Sequence, residues 1–276
     1  MSVPARESRI DLHTHSTHSD GAHLPAELVP MALKAGVSAL SLTDHDTVSG
    51  IPELVRAAEG TGIEIVTGVE LSSSAGRSDL HILGYLFDPE NEVLVRELER
   101  FRIGRRERVV EMVRILNHLG IEITFEDVLR QAGGAALGRP HVAHALLEQG
   151  YVETFDEAFR KFLGQHARAF VPKPHFEPRQ ALALIRSAGG VPVLAHPGTA
   201  NRDELIPELA DHGLAGIEAW HPKHSPTQVV EYRRLAGELG LVASGGSDFH
   251  GSSMGTVTVG ISDVPAAVLA ALRDRL

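Results

Sequence analysis

The chain has 276 residues, no cysteine, 43% apolar residues and a formal net charge of −10 at neutral pH. Disulfides, thiolate metal sites and cysteine nucleophiles are therefore excluded, and the apolar fraction is that of a packed globular chain. The acidic balance argues against an extended basic surface for nucleic acid, and no apolar stretch approaches the roughly 18 residues of a membrane span.

Apolar runs alternate with segments of helical period along most of the chain. A strand is predicted over 9–13, a helix over 25–35 with Pro25 in its first turn and Gly36 as its stop, a strand over 39–43, a helix over 50–59, and strands over 64–71 and 80–87. Residues 89–174 then interrupt the alternation. They read as largely helical: 93–119 places Leu94, Leu98, Phe101, Val109, Val113 and Leu116 at helical spacing and ends at Gly120, and shorter helices follow over 125–131, 140–148 and 155–163. The alternation resumes with a helix over 178–187, a strand over 191–195, a helix over 203–211, a strand over 216–219, a helix over 226–239, a strand over 241–244 and a last helix over 264–276. Seven strands, most followed by helices, predict a parallel α/β barrel built from 1–88 and 175–276, with 89–174 as an inserted helical subdomain expected to cap its active rim.

Twelve His, Asp and Glu residues fall into four clusters, each at or near the end of an apolar run: Asp11, His13, His15 and Asp20; Asp44, His45 and Asp46; Glu70 and His81; and His196 with Asp248 and His250. In a parallel barrel the chemistry sits at the carboxyl ends of the strands, so these clusters would converge on one rim. His-x-His at a strand end puts two imidazoles on one face, where both can meet one ion. Mixed imidazole and carboxylate ligands suit manganese, zinc or iron, and a carboxylate such as Glu70 can bridge two ions. Ions so paired activate water and clamp an in-line displacement at phosphorus without a protein nucleophile. His18, His23, His118, His166, His175 and His212, taken singly, read as surface or packing residues, and His144 as packing.

Asp11-Leu-His13-Thr-His15-Ser16 with Ser19-Asp20-Gly21, Leu42-Thr-Asp44-His45-Asp46, Gly68-Val-Glu70, His81-Ile-Leu-Gly84, Ala195-His196-Pro197 and Gly246-Ser-Asp248-Phe-His250 follow in the order of the PHP (polymerase and histidinol phosphatase) family, which the chain resembles over Asp11 to His250. The resemblance implies a distorted (β/α)₇ barrel of the PHP type and two or three divalent ions, manganese first, with zinc, iron or magnesium as alternatives. It implies that His13, His15, Glu70 and Asp248 hold the first ion, Glu70, His81 and His196 the second, and Asp20, His45 and His250 the third. His18 is the alternative to Asp20 in the third set. Three divalent ions bring six positive charges against three ligand carboxylates, so an anionic substrate fits an otherwise acidic protein.

Leu137-Gly-Arg139-Pro140-His141 and Ile217-Glu-Ala-Trp220-His221-Pro222-Lys-His224 resemble the branch of that family comprising 3′,5′-nucleotide bisphosphate phosphatases and a 5′-to-3′ exoribonuclease. Arg139 and His141 stand at a helix start, where free N–H groups and the dipole favour anions. They are expected to bind a substrate phosphate, with Lys173, His221 and His224 as further contacts. His221 and Asp248 are expected to be catalytic. The Arg-rich stretch from Arg96 to Arg114 is interleaved with Glu97, Glu99, Glu107 and Glu111 and reads as a solvated helix face.

The expected activity is metal-dependent hydrolysis of the 3′-phosphate of a nucleoside 3′,5′-bisphosphate, with 5′-to-3′ removal of nucleotides from short 5′-phosphorylated RNA as a companion. The alternatives are a histidinol-phosphatase-like enzyme, amidohydrolase-type C–N hydrolysis and a non-catalytic metal-binding module. The expected partners are a small nucleotide or short oligonucleotide, with no extended nucleic-acid surface and no membrane. A start lacking the apolar stretch of a secretory signal predicts a cytoplasmic protein.

Overall fold

The computed structural model of the protein describes residues 9–76, 78–133, 136–172, 175–251 and 257–276, so Lys173 lies outside the described residues. Two compact units are present, Met1–Val95 with His175–Leu276, and Arg96–Pro174.

The first unit opens with β1 (Arg9–Asp11). In α1 (Pro25–Ala35), Pro25 occupies the first turn, where a missing N–H costs no hydrogen bond, and Gly36 ends the helix at φ 72°. Next come β2 (Val37–Leu42), α2 (Ile51–Ala58), β3 (Glu64–Ala75) and β4 (Ser78–Tyr85). Helix α3 (Glu92–His118) begins in this unit and runs into the second.

The second unit continues with α4 (Phe125–Ala132), α5 (Arg139–Glu148) and α6 (Phe155–Ala158), the last prolonged by a π turn over Phe159–Leu163. It has its own core, with Val109, Met112, Leu116, Val128, Val142, Leu146 and Leu163 buried together. On α3, the pairs Arg100–Glu97, Arg102–Glu99 and Arg114–Glu111 at 2.6–2.9 Å form the solvated ion pairs expected of that stretch, but Arg108 is buried and donates to the Val171 carbonyl at 2.7 Å, and Arg105 donates to the Leu137 carbonyl at 3.3 Å, so the face is only partly solvated.

The first unit resumes with α7 (Pro178–Ser187), β5 (Val191–Leu194), α8 (Pro197–Ala200), a 3₁₀ turn over Asp203–Leu205, α9 (Ile206–Asp211), β6 (Gly216–Trp220), α10 (Pro226–Glu238) and β7 (Val242–Gly245). The helix predicted over 264–276 is instead a two-residue strand, β8 (Val264–Pro265), followed by α11 (Ala267–Arg273). Pro265 biases the residue before it away from helix, which accounts for the difference.

The strands lie in the order β7-β6-β5-β4-β3-β2-β1-β8. They are not all parallel as predicted: β4 runs antiparallel to both β3 and β5, and β8 antiparallel to β1. Only residues 72–79 separate the predicted strands on either side of the β3–β4 turn, too few for the crossover of a dozen or more that parallel strands need. A tight turn with Gly76 at φ 63° joins them. Beyond the ends of β1 and β7 the chain closes the barrel on itself: Thr14 bridges Phe249 in parallel, the His15 N–H donates to the Phe249 carbonyl at 2.9 Å, and the Asp248 N–H to the His13 carbonyl at 2.8 Å.

Side-chain alternation sorts the strand residues onto two faces. Ile10, Leu12, Ala39, Val66, Leu83, Tyr85 and Val193 share one core with Val268, Leu269 and Leu272 of α11. Leu40 and Leu42 of β2 instead pack on Leu28, Val29 and Ala32 of α1 and Leu54 of α2.

At the closing seam, a Cβ on Gly246 would lie 2.3 Å from the His13 Cβ and 2.4 Å from its backbone nitrogen. Neither neighbour is the end of a flexible chain. Gly246→Ala is expected to destabilise the protein by about 1–3 kcal/mol in urea titrations, the usual range for forcing atoms into a packed interior. A loss within experimental error would show that the seam is slack.

Candidate metal centre

The barrel puts the predicted ligands together from seven separate segments. His13 and His15 leave the end of β1 on one face. His45 follows β2, and residues 44–46 are pinned to β3 by the Asp46 N–H on the Glu70 carbonyl (2.9 Å), the Glu70 N–H on the Asp44 carbonyl (3.3 Å) and the Ser72 N–H on Asp46 Oδ1 (2.7 Å). Glu70 lies within β3. His81 sits near the amino end of β4, and because β4 is antiparallel that end reaches the same rim. His196 follows β5, Asp248 and His250 follow β7, and Asp20 lies in the loop after β1.

Glu70 is fully buried and its two oxygens face different groups. Oε2 lies 3.2 Å from His13 Nε2, 3.1 Å from His15 Nε2 and 3.2 Å from His45 Nδ1. Oε1 lies 2.8 Å from His81 Nδ1 and 3.0 Å from His196 Nε2. Asp248 Oδ1 approaches His13 Nε2 at 3.4 Å and His15 Nε2 at 3.3 Å. Among the described residues, three sets have ligand atoms within 4.8 Å of one another: His13, His15, Glu70 and Asp248; His45, Glu70 and His81; and His15, Asp20, His45 and His250. A cavity of about 230 Å³ lined by His45, Glu70, His81, His196, Lys223, Asp248 and His250 opens over them.

The donor chemistry fits divalent cations. His13 Nε2 and His15 Nε2 face each other at 3.1 Å, a spacing that one shared proton or one cation can satisfy. His45 Nδ1 is buried beside Glu70 without a hydrogen-bond partner among the described residues. Nitrogen and carboxylate ligands with no sulfur are the set manganese, zinc or iron accepts.

Fields in the cluster are strong. Burial works to raise the Glu70 carboxyl, but the imidazoles of His45, His81 and His13 outweigh it and hold Glu70 well below the usual carboxylate range. Asp248 and Asp20 are likewise held low against burial, by His13 and His15 and by His45 and His250. Burial lowers His15, yet its hydrogen bonds to Asp248 and Glu70 push it up to about 10; His13 rises with it beside Glu218, Glu70 and Asp248. Burial wins at His45, lowered to about 3 despite Glu70 and Asp20.

Behind the ligands stand carboxylates that accept rather than coordinate. Asp11 takes the Ser247 N–H at 2.8 Å and the Gly260 N–H at 2.7 Å. Asp44 takes the Ser16 N–H at 2.8 Å and the Ser16 and Ser19 hydroxyls at 2.7 and 2.6 Å, shaping the loop that presents Asp20. Glu218, inside β6 and fully buried, was not among the predicted site residues. Its Oε1 accepts from His13 Nδ1 at 2.8 Å and its Oε2 from the His196 N–H at 2.7 Å. His13 is thereby oriented with Nε2 toward Glu70; the sequence signals for Glu218 are a charged residue within an apolar strand run and its place in the Ile217-to-His224 motif. The His250 Nδ1–H is held in the same way by the Asp248 carbonyl at 2.9 Å. Asp46, His196 and Asp248 all adopt positive φ, 54°, 26° and 51°, a strained backbone for residues with side chains.

The other expected residues have the following surroundings. His18 bonds Ser49 at 2.7 Å and is absent from the convergent sets, whereas Asp20 is in one. His221 is buried behind Asp248. His224 has both ring nitrogens on backbone, Nδ1–H donating to the Ala219 carbonyl at 2.9 Å and Nε2 accepting the Gly198 N–H at 3.2 Å. Arg139 and His141 belong to the second unit, where the Arg139 guanidinium lies 5.7 Å from the Phe159 ring and His141 Nδ1 accepts the Gly138 N–H at 3.1 Å, capping its own helix.

Two outcomes are expected. Because ligation requires neutral imidazole and the hydrogen bonds to Asp248 and Glu70 push His15 up to about 10, adding Mn²⁺ to apoprotein at pH 7.5 should release protons, and apparent metal affinity should fall as pH is lowered. Calorimetry in buffers of different ionisation enthalpy measures the release; a result of zero would contradict the protonated site. Glu218→Ala should weaken metal binding about 10–100-fold in equilibrium dialysis, the usual cost of removing a residue that orients a ligand. Unchanged affinity would make Glu218 a packing residue.

The PHP domain family matches residues 11–173. A 3′,5′-nucleoside bisphosphate phosphatase from Chromobacterium violaceum is 36% identical over 94% of this chain and 93% of its own. A 5′-3′ exoribonuclease from Haemophilus influenzae is 36% identical over 88% and 90%. A solved structure from Bifidobacterium adolescentis, assigned as a metal-dependent phosphoesterase, superimposes with a TM-score of 0.87 at 30% identity, covering 99% of this chain and 98% of the other. With the cluster assembled and the matches spanning nearly the whole chain, the protein belongs to the PHP domain family of metal-dependent phosphoesterases.

Proposed function

We propose that the protein removes the 3′-phosphate from nucleoside 3′,5′-bisphosphates, and that the same site releases 5′-nucleotides from the 5′ end of short RNA. The observation that carries the reading is Glu70, whose two oxygens face separate histidine groups beneath an open cavity, the arrangement a bridging ligand needs for phosphoryl chemistry. Similarity over nearly the full length to a bisphosphate phosphatase and to an exoribonuclease supports the substrate class. Both reactions break the bond between a 3′-oxygen and phosphorus and leave a 5′-nucleotide, so one centre suffices for both.

His13, His15, Glu70 and Asp248 would hold one divalent ion, Glu70, His81 and His196 a second, and Asp20, His45 and His250 a third. Manganese is the metal proposed, and the cytoplasm the compartment. When bound, such ions activate water and neutralise the phosphoryl oxygens. The chain's own contribution is placement. Glu218 fixes the His13 tautomer, Asp44 and Asp46 hold the loops that bear Asp20 and His45, and burial removes competing water from Glu70. Preorganised charge of this kind stabilises the transition state without rearrangement during the reaction.

The test is a comparison of substrates. Mn²⁺-loaded protein is expected to convert adenosine 3′,5′-bisphosphate to 5′-AMP and phosphate, with kcat/KM at least about tenfold above that for 3′-AMP, because the remote phosphate contributes binding energy to positioning. Chromatography identifies the nucleotide product. Release of the 5′-phosphate, or equal kcat/KM for the two, would refute the reading and favour a small-molecule phosphatase of the same chemistry.

A further inference from the structure

The loop between β6 and α10 carries His221, Pro222, Lys223 and His224, and its hydrogen bonds divide the work among them. The Lys223 N–H donates to His221 Nδ1 at 3.1 Å. The neutral ring therefore has its proton on Nε2, which lies 3.2 Å from Asp248 Oδ2. The His221 side chain is fully buried and its one proton is directed at Asp248, so His221 acts as a positioning residue for that carboxylate. His224, held at both nitrogens by backbone and with its ring tilted against that of Tyr232 at 5.0 Å between centroids, anchors the other end of the loop.

Lys223 lies between these two fixed histidines with its side chain 66% exposed. Its Nζ stands 3.4 Å from Asp248 Oδ2, the oxygen turned away from His13 and His15. Among the described residues that line the cavity it is the one Lys or Arg; the rest are His, Glu, Asp, Gly and Val. A phosphoryl group entering this cavity brings negative charge toward Glu70 and Asp248. An ammonium on a flexible stem, tethered loosely to Asp248, can turn to such a group and donate charge-assisted hydrogen bonds to its oxygens.

We propose that Lys223 binds the scissile phosphoryl group, its ammonium moving from Asp248 Oδ2 to the phosphoryl oxygens as substrate arrives. This rests on the phosphoesterase reading of the site and adds a substrate contact. No covalent step is assigned to Lys223. Its charge is close to the reacting phosphorus in the ground state and in the transition state.

The experiment uses Mn²⁺-loaded wild-type, Lys223→Met and Lys223→Arg proteins, with inorganic phosphate titrated by calorimetry, metal content measured by mass spectrometry, and adenosine 3′,5′-bisphosphate turnover followed in parallel. Lys223→Met is expected to bind phosphate about 10–100-fold more weakly, the loss of one hydrogen bond to a charged group, with metal content unchanged. Lys223→Arg, which keeps the charge, is expected to recover part of that loss. Phosphate binding by Lys223→Met at wild-type strength would overturn the proposal, as would loss of metal from that variant, which would make Lys223 a support for Asp248 alone. If wild-type protein leaves the bisphosphate intact while phosphate binding still depends on Lys223, the substrate reading fails and the contact stands. If the bisphosphate is hydrolysed and Lys223→Met is indistinguishable from wild type, the contact fails and the substrate reading stands.

Discussion

Glu70 is a fully buried carboxylate with five imidazoles within 3.2 Å, and the rest of the barrel is organised around keeping it charged. An isolated carboxylate removed from water is costly, so it needs positive partners with good geometry. His13 and His15 supply them where they hold protons, both being raised by the carboxylates beside them, whereas burial keeps His45 low. Metal ions would replace those protons without changing the sign of the field. The same constraint explains why the ligands come from seven segments: no single helix or strand can surround one carboxylate on so many sides.

Holding the ligands costs backbone freedom, and the structure meets that cost with buried acceptors. Asp11, Asp44, Asp46 and Glu218 each accept backbone N–H groups next to a ligand segment. His196, at φ 26°, has its N–H on Glu218 and its Nδ1 by the Thr199 hydroxyl at 3.0 Å. Without these bonds, relaxation of the three strained residues Asp46, His196 and Asp248 would pull the ring of donors apart.

Much of this was legible in the residues themselves. Strand ends bearing His and Asp, the Pro25 start and the Gly36 stop all follow from local rules, and the α/β barrel follows from the alternation. What escaped was mostly pairwise. The antiparallel β4 depends on a partner strand rather than on its own pattern, which hid why His81, at an amino end, belongs to the rim. Glu218 looks like an interruption of an apolar strand until His13 is placed beside it. His221 and His224 carry the same side chain three positions apart, and only their hydrogen bonds separate the one that faces Asp248 from the one that anchors a loop. The strand β8 was lost inside a helical pattern that a proline breaks.

The parallel bridge between Thr14 and Phe249 has a consequence for synthesis. Strands at opposite ends of the barrel's sequence meet there, and such distant pairing is slow because a long loop must close before any contact rewards it. On a ribosome, β1 is made first and must wait for residue 249, its edge meanwhile open to other strands. Asp248 arrives at the same moment as the bridge, so the set formed by His13, His15, Glu70 and Asp248 stays incomplete throughout that interval. Closing the barrel and completing the cation site are therefore one event, and until the fold is sealed a nascent chain has only three of the four donors of this set.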